Sequence, residues 1–283
     1  MSDSGNSLVE VDLRNKYAPG LVKACEKILG GGKSNKGVGE RSKSHALGLL
    51  STLCKAPGGI GGEAEILSVF QHIQTLLGAE DKSDEGHGSS NTSKALRLDA
   101  LCLVVAVLDS DNHDASFVRK ALSSALLPQL CASVKEQWYK VIAAGLRALA
   151  AVPKFFVDSD DASDVASKLY ESVEPLLAAH DVDQEIKECA LMATASLLTN
   201  FAGGKSSLTK EQTDRLTSLL LERLKNETTR ILAIKTLSKV SSSNPDLVFG
   251  EGILKDLIEA MAGFLKMFAR TLRQTSLEAL DVV

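Results

Sequence analysis

The sequence contains an internal repeat, and its spacing restricts the folds that the chain can adopt. A small residue followed by Leu or Ile recurs at spacings of 54, 45, 45, 43 and 43 residues, with an apolar residue seven positions further on. The small residues are Ala46, Ala100, Gly145, Ala190, Ala233 and Ser276. Positions 0, +1, +4 and +7 lie on one side of an α-helix, so each copy predicts a repeat helix with a packed apolar stripe.

A second amphipathic segment precedes each repeat helix, so the repeat unit is a pair of helices. We predict the first helix of each pair at residues 21–29, 64–77, 117–134, 164–180, 213–226 and 251–268. Helix pairs that recur every ~40 to 47 residues are typical of HEAT and armadillo arrays, whereas TPR and ankyrin repeats are about 34 and 33 residues long. The sequence therefore predicts an all-α fold, a right-handed HEAT-repeat α-solenoid of about six helix pairs.

Composition agrees with long helices. Only 4% of the 283 residues are aromatic and only 6 are proline. Sheets favour aromatic and β-branched residues, and proline interrupts helices. A polar, Gly- and Ser-rich insertion explains the long first spacing of the repeat. We predict a polar, partly disordered tail at residues 1–16, a HEAT-repeat solenoid at 17–283, and a mobile insertion within it at 78–93.

Charge and hydropathy exclude two classes of partner. The formal net charge is −4, so the chain lacks the basic field with which proteins displace counterions from nucleic acid. The longest purely apolar run, residues 100–108, is too short to cross a membrane. From the polar N-terminus we expect no secretory signal. The five cysteines are never closer than 29 residues, which argues against disulfides and CxxC metal sites. We expect a location in the cytoplasm, the nucleus or both.

Several fragments imitate catalytic or ligand-binding motifs but lack the surroundings that those motifs need. Gly-Lys-Ser at 32–34 and at 204–206 resembles the end of a P-loop, yet the earlier glycine is missing and both follow predicted helices, whose carbonyl ends repel phosphate. The acidic run at 158–164 lacks the glycine and the glutamate of a calcium loop. The five histidines show no metal-ligand spacing. We therefore predict no enzyme, no metal and no cofactor.

Two columns of the repeat carry the candidate functional residues. The basic column stands three positions before the small residue, at the edge of the apolar stripe, and we expect it to brace neighbouring repeats through carboxylates. Its members are Lys43, Arg97, Lys187, Arg230 and Arg273. The +2 column stands two positions after the small residue, on the opposite side, where solvent or a partner is expected. The candidate partner-binding residues on that side are Arg147, Lys235, Lys239 and Glu278, and a solvated surface charge is the alternative for each.

Four stretches in the second half of the chain go beyond a generic HEAT pattern. They read HDVDQEIKECA at 180–190, LLLERLKNETTR at 219–230, FGEGILKDL at 249–257 and SLEALDVV at 276–283. In order and spacing they resemble the central HEAT repeats of the cullin-associated and neddylation-dissociated (CAND) family. KALRLDAL at 94–101 is a weaker agreement. The resemblance extends over roughly residues 95–283, and residues 8–77 are compatible with it.

The resemblance implies a non-enzymatic regulator of cullin-RING (SCF-type) ubiquitin ligases. Such solenoids wrap an unmodified cullin with its RING subunit, compete with substrate-receptor modules and promote receptor exchange. The family is several times longer than this chain, so we expect a central piece of a longer protein, one that self-associates through an uncapped C-terminal edge. The alternative is another HEAT or armadillo scaffold or a nuclear-transport adaptor. Armadillo importins bind their cargo with a ladder of tryptophans, and Trp138 is the one tryptophan of this sequence, which weakens the importin option.

Overall fold

The fold is all-helical throughout the part of the chain that the structure, a computed structural model, describes. The described residues are 4–30, 39–56, 59–60, 62–78, 93–202, 208–244 and 251–282. They form thirteen α-helices and no β-strand, which confirms the predicted fold class. The Gly-Lys-Ser fragments and nearly all of the predicted insertion at 78–93 lie outside these residues. The chain divides into two compact units, Met1–Ala148 and Leu149–Val283.

The first unit contains the first three predicted helix pairs, apart from residues 149–151 at the end of the third pair. Helices α1 and α2 form the first pair, α3 and α4 the second, and α5, α6 and α7 the third, in which α5 and α6 together make the first helix. Their bounds are α1 Ser4–Leu29, α2 Glu40–Lys55, α3 Glu63–Leu77, α4 Lys94–Asp109, α5 Ala115–Ala121, α6 Leu127–Ser133 and α7 Tyr139–Ala151. Helix α1 begins at Ser4, so residues 4–16, predicted as a polar tail, are helical. Polar residues do not prevent a helix, and no proline interrupts these positions.

The second unit contains three further helix pairs, as the repeat predicted. They are α8 with α9, α10 with α11, and α12 with α13. Their bounds are α8 Ala162–Ala178, α9 Gln184–Phe201, α10 Lys210–Lys225, α11 Glu227–Ser243, α12 Glu251–Phe264 and α13 Arg270–Leu280. A short 3₁₀ turn at Pro153–Phe155 precedes α8.

A π-helical turn, Leu122–Leu126, joins α5 to α6. Its final hydrogen bond runs from the amide of Leu127 back to the carbonyl of Leu122, five residues earlier. Pro128 follows directly, and proline has no amide hydrogen and sterically disfavours the carbonyl four residues before it. The wider turn lets the chain continue as a helix despite this proline.

The core lies between the two helices of a pair, as between α8 and α9, and between helices of neighbouring pairs. Helix α2 packs on α4 in the first unit, and α11 packs on both α9 and α13 in the second. All six small residues of the repeat are buried, which confirms the apolar stripe; they are Ala46, Ala100, Gly145, Ala190, Ala233 and Ser276. The residue after each is fully buried in five copies, and the exception is Leu277, which is 62% exposed.

Gly145 shows why one copy has no side chain at the small position. A Cβ atom built on Gly145 would lie 2.3 Å from Ser133 Oγ and 3.0 Å from Val134 Cγ1. Both distances are shorter than carbon and oxygen atoms tolerate without displacement. Glycine therefore permits α7 to approach the end of α6 directly.

Side chains from one helix pair cap the helices of the pair before it. After α4, Ser110 Oγ donates to the carbonyl of Cys54 (2.9 Å), and Asn112 Nδ2 donates to the carbonyls of Cys54 and Ala56 (3.1 Å each). These carbonyls belong to the end of α2, where no intrahelical donor remains. The turn after α4 thus ties the second helix pair to the first.

The second unit uses buried side chains for the same purpose. Asn244 Nδ2, after α11, donates to the carbonyls of Leu198 (2.9 Å) and Ala202 (2.5 Å) at the end of α9. Arg223 in α10 bonds to two carbonyls at the end of α8. Its Nε donates to the carbonyl of Leu177 (2.8 Å). Its Nη2 donates to the carbonyl of Ala179 (2.7 Å) and also to that of Leu177. Both side chains are less than a tenth exposed.

Candidate partner-binding surface

The +2 column faces solvent, as the sequence predicted. Five of its six members are exposed and Arg147 is half-buried; the exposed ones are Gly48, Cys102, Met192, Lys235 and Glu278. Met192 is 50% exposed although it is a large apolar residue. The repeat helices therefore present a side that is free of core contacts in both units.

A pocket of about 580 Å³ opens on this side in the first unit. Two members of the +2 column line it, Cys102 from α4 and Arg147 from α7. Its apolar floor consists of Val105, Ala106 and Ala144. Lys55, the last residue of α2, and the turn at 109–112 complete the wall. The volume is within the range of pockets that bind small molecules.

Charged groups of both signs affect the pKa of the Cys102 thiol, which lines the pocket. Partial desolvation and the neighbouring Asp99 raise the pKa of Cys102, whereas Arg147 and Lys55 lower it. Asp99 accepts a hydrogen bond from Ser44 Oγ (2.5 Å), so its carboxylate is held toward α2. Cationic groups of α2 and α7 therefore lie close enough to the pocket to affect a group within it.

The remaining candidate partner residues lie in the second unit. Lys235 and Lys239 are both exposed and stand one helical turn apart on α11. Glu278 is exposed on α13, where its Oε1 accepts from Gln274 Nε2 (3.1 Å) of the same helix. Because α9, α11 and α13 pack in succession, Met192, Lys235 and Glu278 occupy equivalent positions on three adjacent helices. Their role in binding stays a prediction.

The basic column makes contacts of two kinds. Arg97 Nη1 forms an ion pair with Glu136 Oε1 of the next helix pair (2.6 Å). Arg230 instead donates to the carbonyls of Leu224 (2.8 Å) and Lys225 (3.1 Å), at the end of the first helix of its own pair. Backbone carbonyls at a helix end attract a cation as a carboxylate does, so sequence alone does not distinguish the two contacts.

Arg273, like Arg230, bonds to carbonyls at a helix end. Arg273 Nη1 donates to the carbonyls of Met267 and Phe268 (2.7 Å each), just after α12 in its own helix pair. Lys43 and Lys187 are half-buried. Arg273 thus joins the helices within its pair, whereas Arg230 does so and also places its guanidinium over the ring of Phe264 in the next pair, 5.0 Å from the ring centroid.

The sequence interpretation missed the capping side chains and the pocket. Asn112 and Asn244 follow the small residues of their copies by 12 and 11 positions. This approximate recurrence could have predicted the caps, because an asparagine that follows a helix commonly bonds to free backbone groups. Arg223 gave no comparable signal, since an arginine in a polar helix ordinarily points to solvent.

Neither a metal centre nor a membrane span is present among the residues that the structure describes. No three His, Cys, Asp or Glu side chains there come close enough together to hold a metal ion. None of the described helices is long and apolar enough to cross a bilayer.

The family of the chain follows from its sequence match. Residues 19–194, more than half of the chain, match the family model described as CAND1-like, TPR repeats. The chain belongs to this CAND1-like family. The match includes the last part of α1 and all of α2 and α3, so the similarity is not restricted to residues 95–283. The repeats here recur at 43 to 54 residues, a spacing that exceeds the roughly 34 residues of a TPR.

Curated relatives agree with this membership. Cullin-associated NEDD8-dissociated protein 1 of Dictyostelium discoideum is 31% identical over 276 residues, which are 95% of this chain and 20% of that protein. Cullin-associated NEDD8-dissociated protein 2 of Mus musculus is 29% identical over 221 residues, 76% of this chain and 17% of that protein. The chain thus spans about a fifth of the length of these relatives.

Solved structures with similar folds include a designed armadillo repeat protein and a karyopherin. A designed armadillo repeat protein, YIII(Dq)4CqI, superposes with a TM-score of 0.56 at 15% identity, over 92% of this chain and 98% of its own. The karyopherin Kap121p, solved bound to Pho4p, superposes with a TM-score of 0.57 at 13% identity, over 97% of this chain and 27% of its own. At such identity the likeness establishes the repeat-solenoid fold.

Proposed function

We propose that this chain is a protein-binding segment that holds part of a cullin, in complex with its RING subunit, on the exposed side of its repeat helices. The family match over residues 19–194 carries the proposal, because the relatives in that family are named for their association with cullins. The exposed +2 column supports it, since a repeat array offers such a row of equivalent positions to an extended partner.

The proposed role is scaffolding without catalysis. The buried polar side chains that contact other helices, such as Arg223 and Asn244, bond to backbone carbonyls, which is a structural task. In the proposed role the chain contributes to the exchange of substrate-receptor modules on a cullin-RING ligase, in the cytoplasm or the nucleus. It needs no cofactor for this, because binding energy alone can shift a competition between partners.

A binding measurement tests the proposal. The purified chain is immobilised, and an unneddylated cullin–RING complex is passed over it at concentrations up to tens of micromolar. We expect the complex to bind saturably. A peptide that is cargo of an unrelated α-solenoid scaffold serves as the control, and we expect the immobilised chain not to bind it. Absence of retention at micromolar protein contradicts direct binding by this chain.

The exchange role requires a separate measurement. A fluorescent substrate-receptor module is bound to the cullin–RING complex, and its dissociation is followed with and without this chain. We expect faster dissociation in the presence of the chain. Binding without acceleration would leave the cullin-binding role in place and reject the exchange role.

A further inference from the structure

The starts of the three repeat helices in the first unit lie next to one another. Glu40, the first residue of α2, accepts a hydrogen bond from the amide of Ser93, just before α4 (3.2 Å). Arg97, in the first turn of α4, forms an ion pair with Glu136, in the turn that leads to α7 (2.6 Å). The beginnings of α2, α4 and α7 therefore form one continuous edge, and both of these carboxylates are engaged in the contacts along it.

Exposed cations follow this edge. Arg41, Lys94 and Lys140 stand at the first or second position of α2, α4 and α7, and Lys135 stands in the turn before α7. All four are exposed, and none of them forms an ion pair among the described residues. Side chains lean toward the N-terminus of their helix, so the three helical members project beyond the helix starts. We call these four residues the cationic edge.

The second unit carries carboxylates at the corresponding positions of α9 and α11. Counted from the small residue of each copy, Glu185 corresponds to Arg41 and Lys140, and Glu227 corresponds to Lys94. A carboxylate in the first turn stabilises a helix, whereas a cation there does not. Helices α4 and α7 have no acidic residue in their first turns. The cationic edge thus departs from what helix stability favours, and such departures are expected at functional sites.

An aromatic pair adjoins the cation of α7. Lys140 Nζ lies 5.9 Å from the ring centroids of both Trp138 and Tyr139, and Tyr139 is exposed. Trp138 occupies the position from which Ser93 and Asp183 cap their helices, although an indole ring accepts no hydrogen bond from an amide. Aromatic residues are enriched where proteins bind proteins. This end of the cationic edge therefore offers apolar contact beside its charge.

We propose that the cationic edge binds an extended acidic segment of a protein partner. Packed helices lie about 8–10 Å apart and an extended chain advances about 3.3 Å per residue, so carboxylates about three residues apart meet successive helix starts. They pair with Arg41, Lys94 and Lys140 in turn, and the α7 end of the segment packs against the rings of Trp138 and Tyr139. The inference goes beyond the proposed function, because it names the chemistry of the segment and not the protein that carries it.

Charge complementarity selects this occupant. A basic segment is repelled by four exposed cations, and an apolar segment would desolvate them without giving them partners. An acidic segment gains one opposite charge at each helix start. Nucleic acid is also anionic, but the net charge of −4 on the whole chain opposes a long polyanion. A short acidic stretch of a protein meets the local charge without spanning the rest of the surface.

Trp138 reports on the cationic edge directly. It is the one tryptophan of the sequence and is half-buried, beside the Lys140 ammonium group. A carboxylate that draws this ammonium group away from the indole ring removes a cation from the ring face and changes the emission of Trp138. A peptide without aromatic residues adds no emission of its own, so the signal comes from the chain.

The experiment titrates peptides into the full chain. The probe is (Glu-Ala-Gly)3-Glu with both ends blocked, so its carboxylates are three residues apart. One control peptide has Gln in place of each Glu, and another has the same composition with its Glu residues consecutive. Trp138 emission is recorded at about 50 mM NaCl, where screening is weak, and again at about 0.5 M NaCl.

Two double variants of the chain test where the probe binds. Arg41→Glu with Lys94→Glu reverses two charges of the cationic edge and leaves Lys140, and so the reporter, intact. Lys16→Glu with Lys120→Glu is the matched control, because both lysines are exposed in the same unit and lie on first helices of their pairs, α1 and α5. Carboxylates at helix starts favour the helix, so the first variant remains folded, and circular dichroism verifies this.

We expect the probe to change Trp138 emission saturably, the edge variant to weaken its binding about fivefold or more, and the control variant to stay within about twofold. The Gln peptide, and the probe at high salt, should give no change. The absence of a saturable change up to about 5 mM probe overturns the inference, as does equal weakening by the two variants. Equally tight binding of the peptide with consecutive Glu residues overturns the extended arrangement.

Two other results assign the cationic edge to another occupant and overturn the inference. One is equally tight binding of a short single-stranded DNA that the edge variant also weakens, which indicates nucleic acid. The other is the same change in Trp138 emission when the chain alone is concentrated, which indicates a second copy. None of these measurements contains a cullin, so their outcome leaves the proposed function to its own binding test.

Discussion

The two units of the molecule solve the same packing problem with different side chains. In the first unit, the end of α2 is capped by Ser110 and Asn112 from a partly exposed turn. In the second, the ends of α8 and α9 are capped by Arg223 and Asn244, which are buried. The exposed turn of the first unit also borders a pocket, whereas the buried caps of the second unit have only a structural task. Polar residues thus support the repeat everywhere but can contribute to recognition only where they reach the surface.

The largest effect that this comparison predicts belongs to Arg223. Arg223→Ala removes three hydrogen bonds to carbonyls of Leu177 and Ala179 and leaves these carbonyls unsatisfied, so the free energy of unfolding should fall by about 2–4 kcal/mol. Urea denaturation followed by circular dichroism measures the change. Lys225→Ala, at an exposed position on the same helix, is the control and should cost less than about 0.5 kcal/mol. Equal losses for the two variants would mean that the buried cap is dispensable.

Gly145 and Gly48 occupy opposite sides of the repeat helices and should respond in opposite directions. Gly145→Ala forces a Cβ against Ser133 and should destabilise the chain by about 1–3 kcal/mol. Gly48→Ala, on the +2 column, meets no atom within 4 Å and should stabilise α2 by about 0.5–1 kcal/mol through helix propensity. Thermal and urea denaturation of the two variants check the signs. A stabilising Gly145→Ala would show that α7 does not need the close approach to α6.

The two asparagine caps give the most direct comparison of the units. Asn244→Ala should cost about 1–2 kcal/mol, because it leaves buried carbonyls of Leu198 and Ala202 unsatisfied. Asn112→Ala should cost about 0.5–1 kcal/mol, since Asn112 is exposed and water replaces it at the carbonyls of α2. Urea denaturation of both variants provides the measurement. A larger loss at Asn112 would reverse the distinction between exposed and buried caps.

The smallest predicted effect concerns pH in the first unit. Burial lowers the pKa of His113 below its ordinary value of 6.5, and the ring packs against the backbone of Gly59, whose φ of 60° is left-handed. As the pH falls through 6.5, the unfolded chain binds a proton that folded His113 resists, so stability decreases on acidification and is fully present above that range. Urea denaturation between pH 5 and pH 8 should show the decrease, and His113→Phe should reduce its slope. An unchanged slope would assign the dependence to other groups.

The sequence predicted the features that follow from helix periodicity alone. Buried Ala100 and exposed Cys102 are two positions apart, and the angle between successive residues of a helix places them on opposite sides. The helix pairs rest on the same regularity, whereas the family resemblance rests on particular stretches such as LLLERLKNETTR at 219–230.

Features that depend on how a long side chain or a turn is placed could not be read from the pattern. Arg97 reaches a carboxylate while Arg230 reaches carbonyls, although both stand at the same repeat position. The pocket depends on the shape of the turn after α4, for which the sequence shows only polar residues. The start of α1 at Ser4 does not follow from the pattern, because a polar segment can be helical or disordered.

The caps between helix pairs also impose an order on synthesis. The carbonyls at the end of α9 receive their donors from Asn244, which follows Leu198 by 46 residues and Ala202 by 42. Chains are made from the N-terminus and fold as they emerge from the ribosome. The carbonyls of Leu198 and Ala202 therefore lack their side-chain donor when α9 leaves the ribosomal tunnel. They gain it only after the next helix pair has been translated, so the end of this repeat is capped by the repeat that follows it.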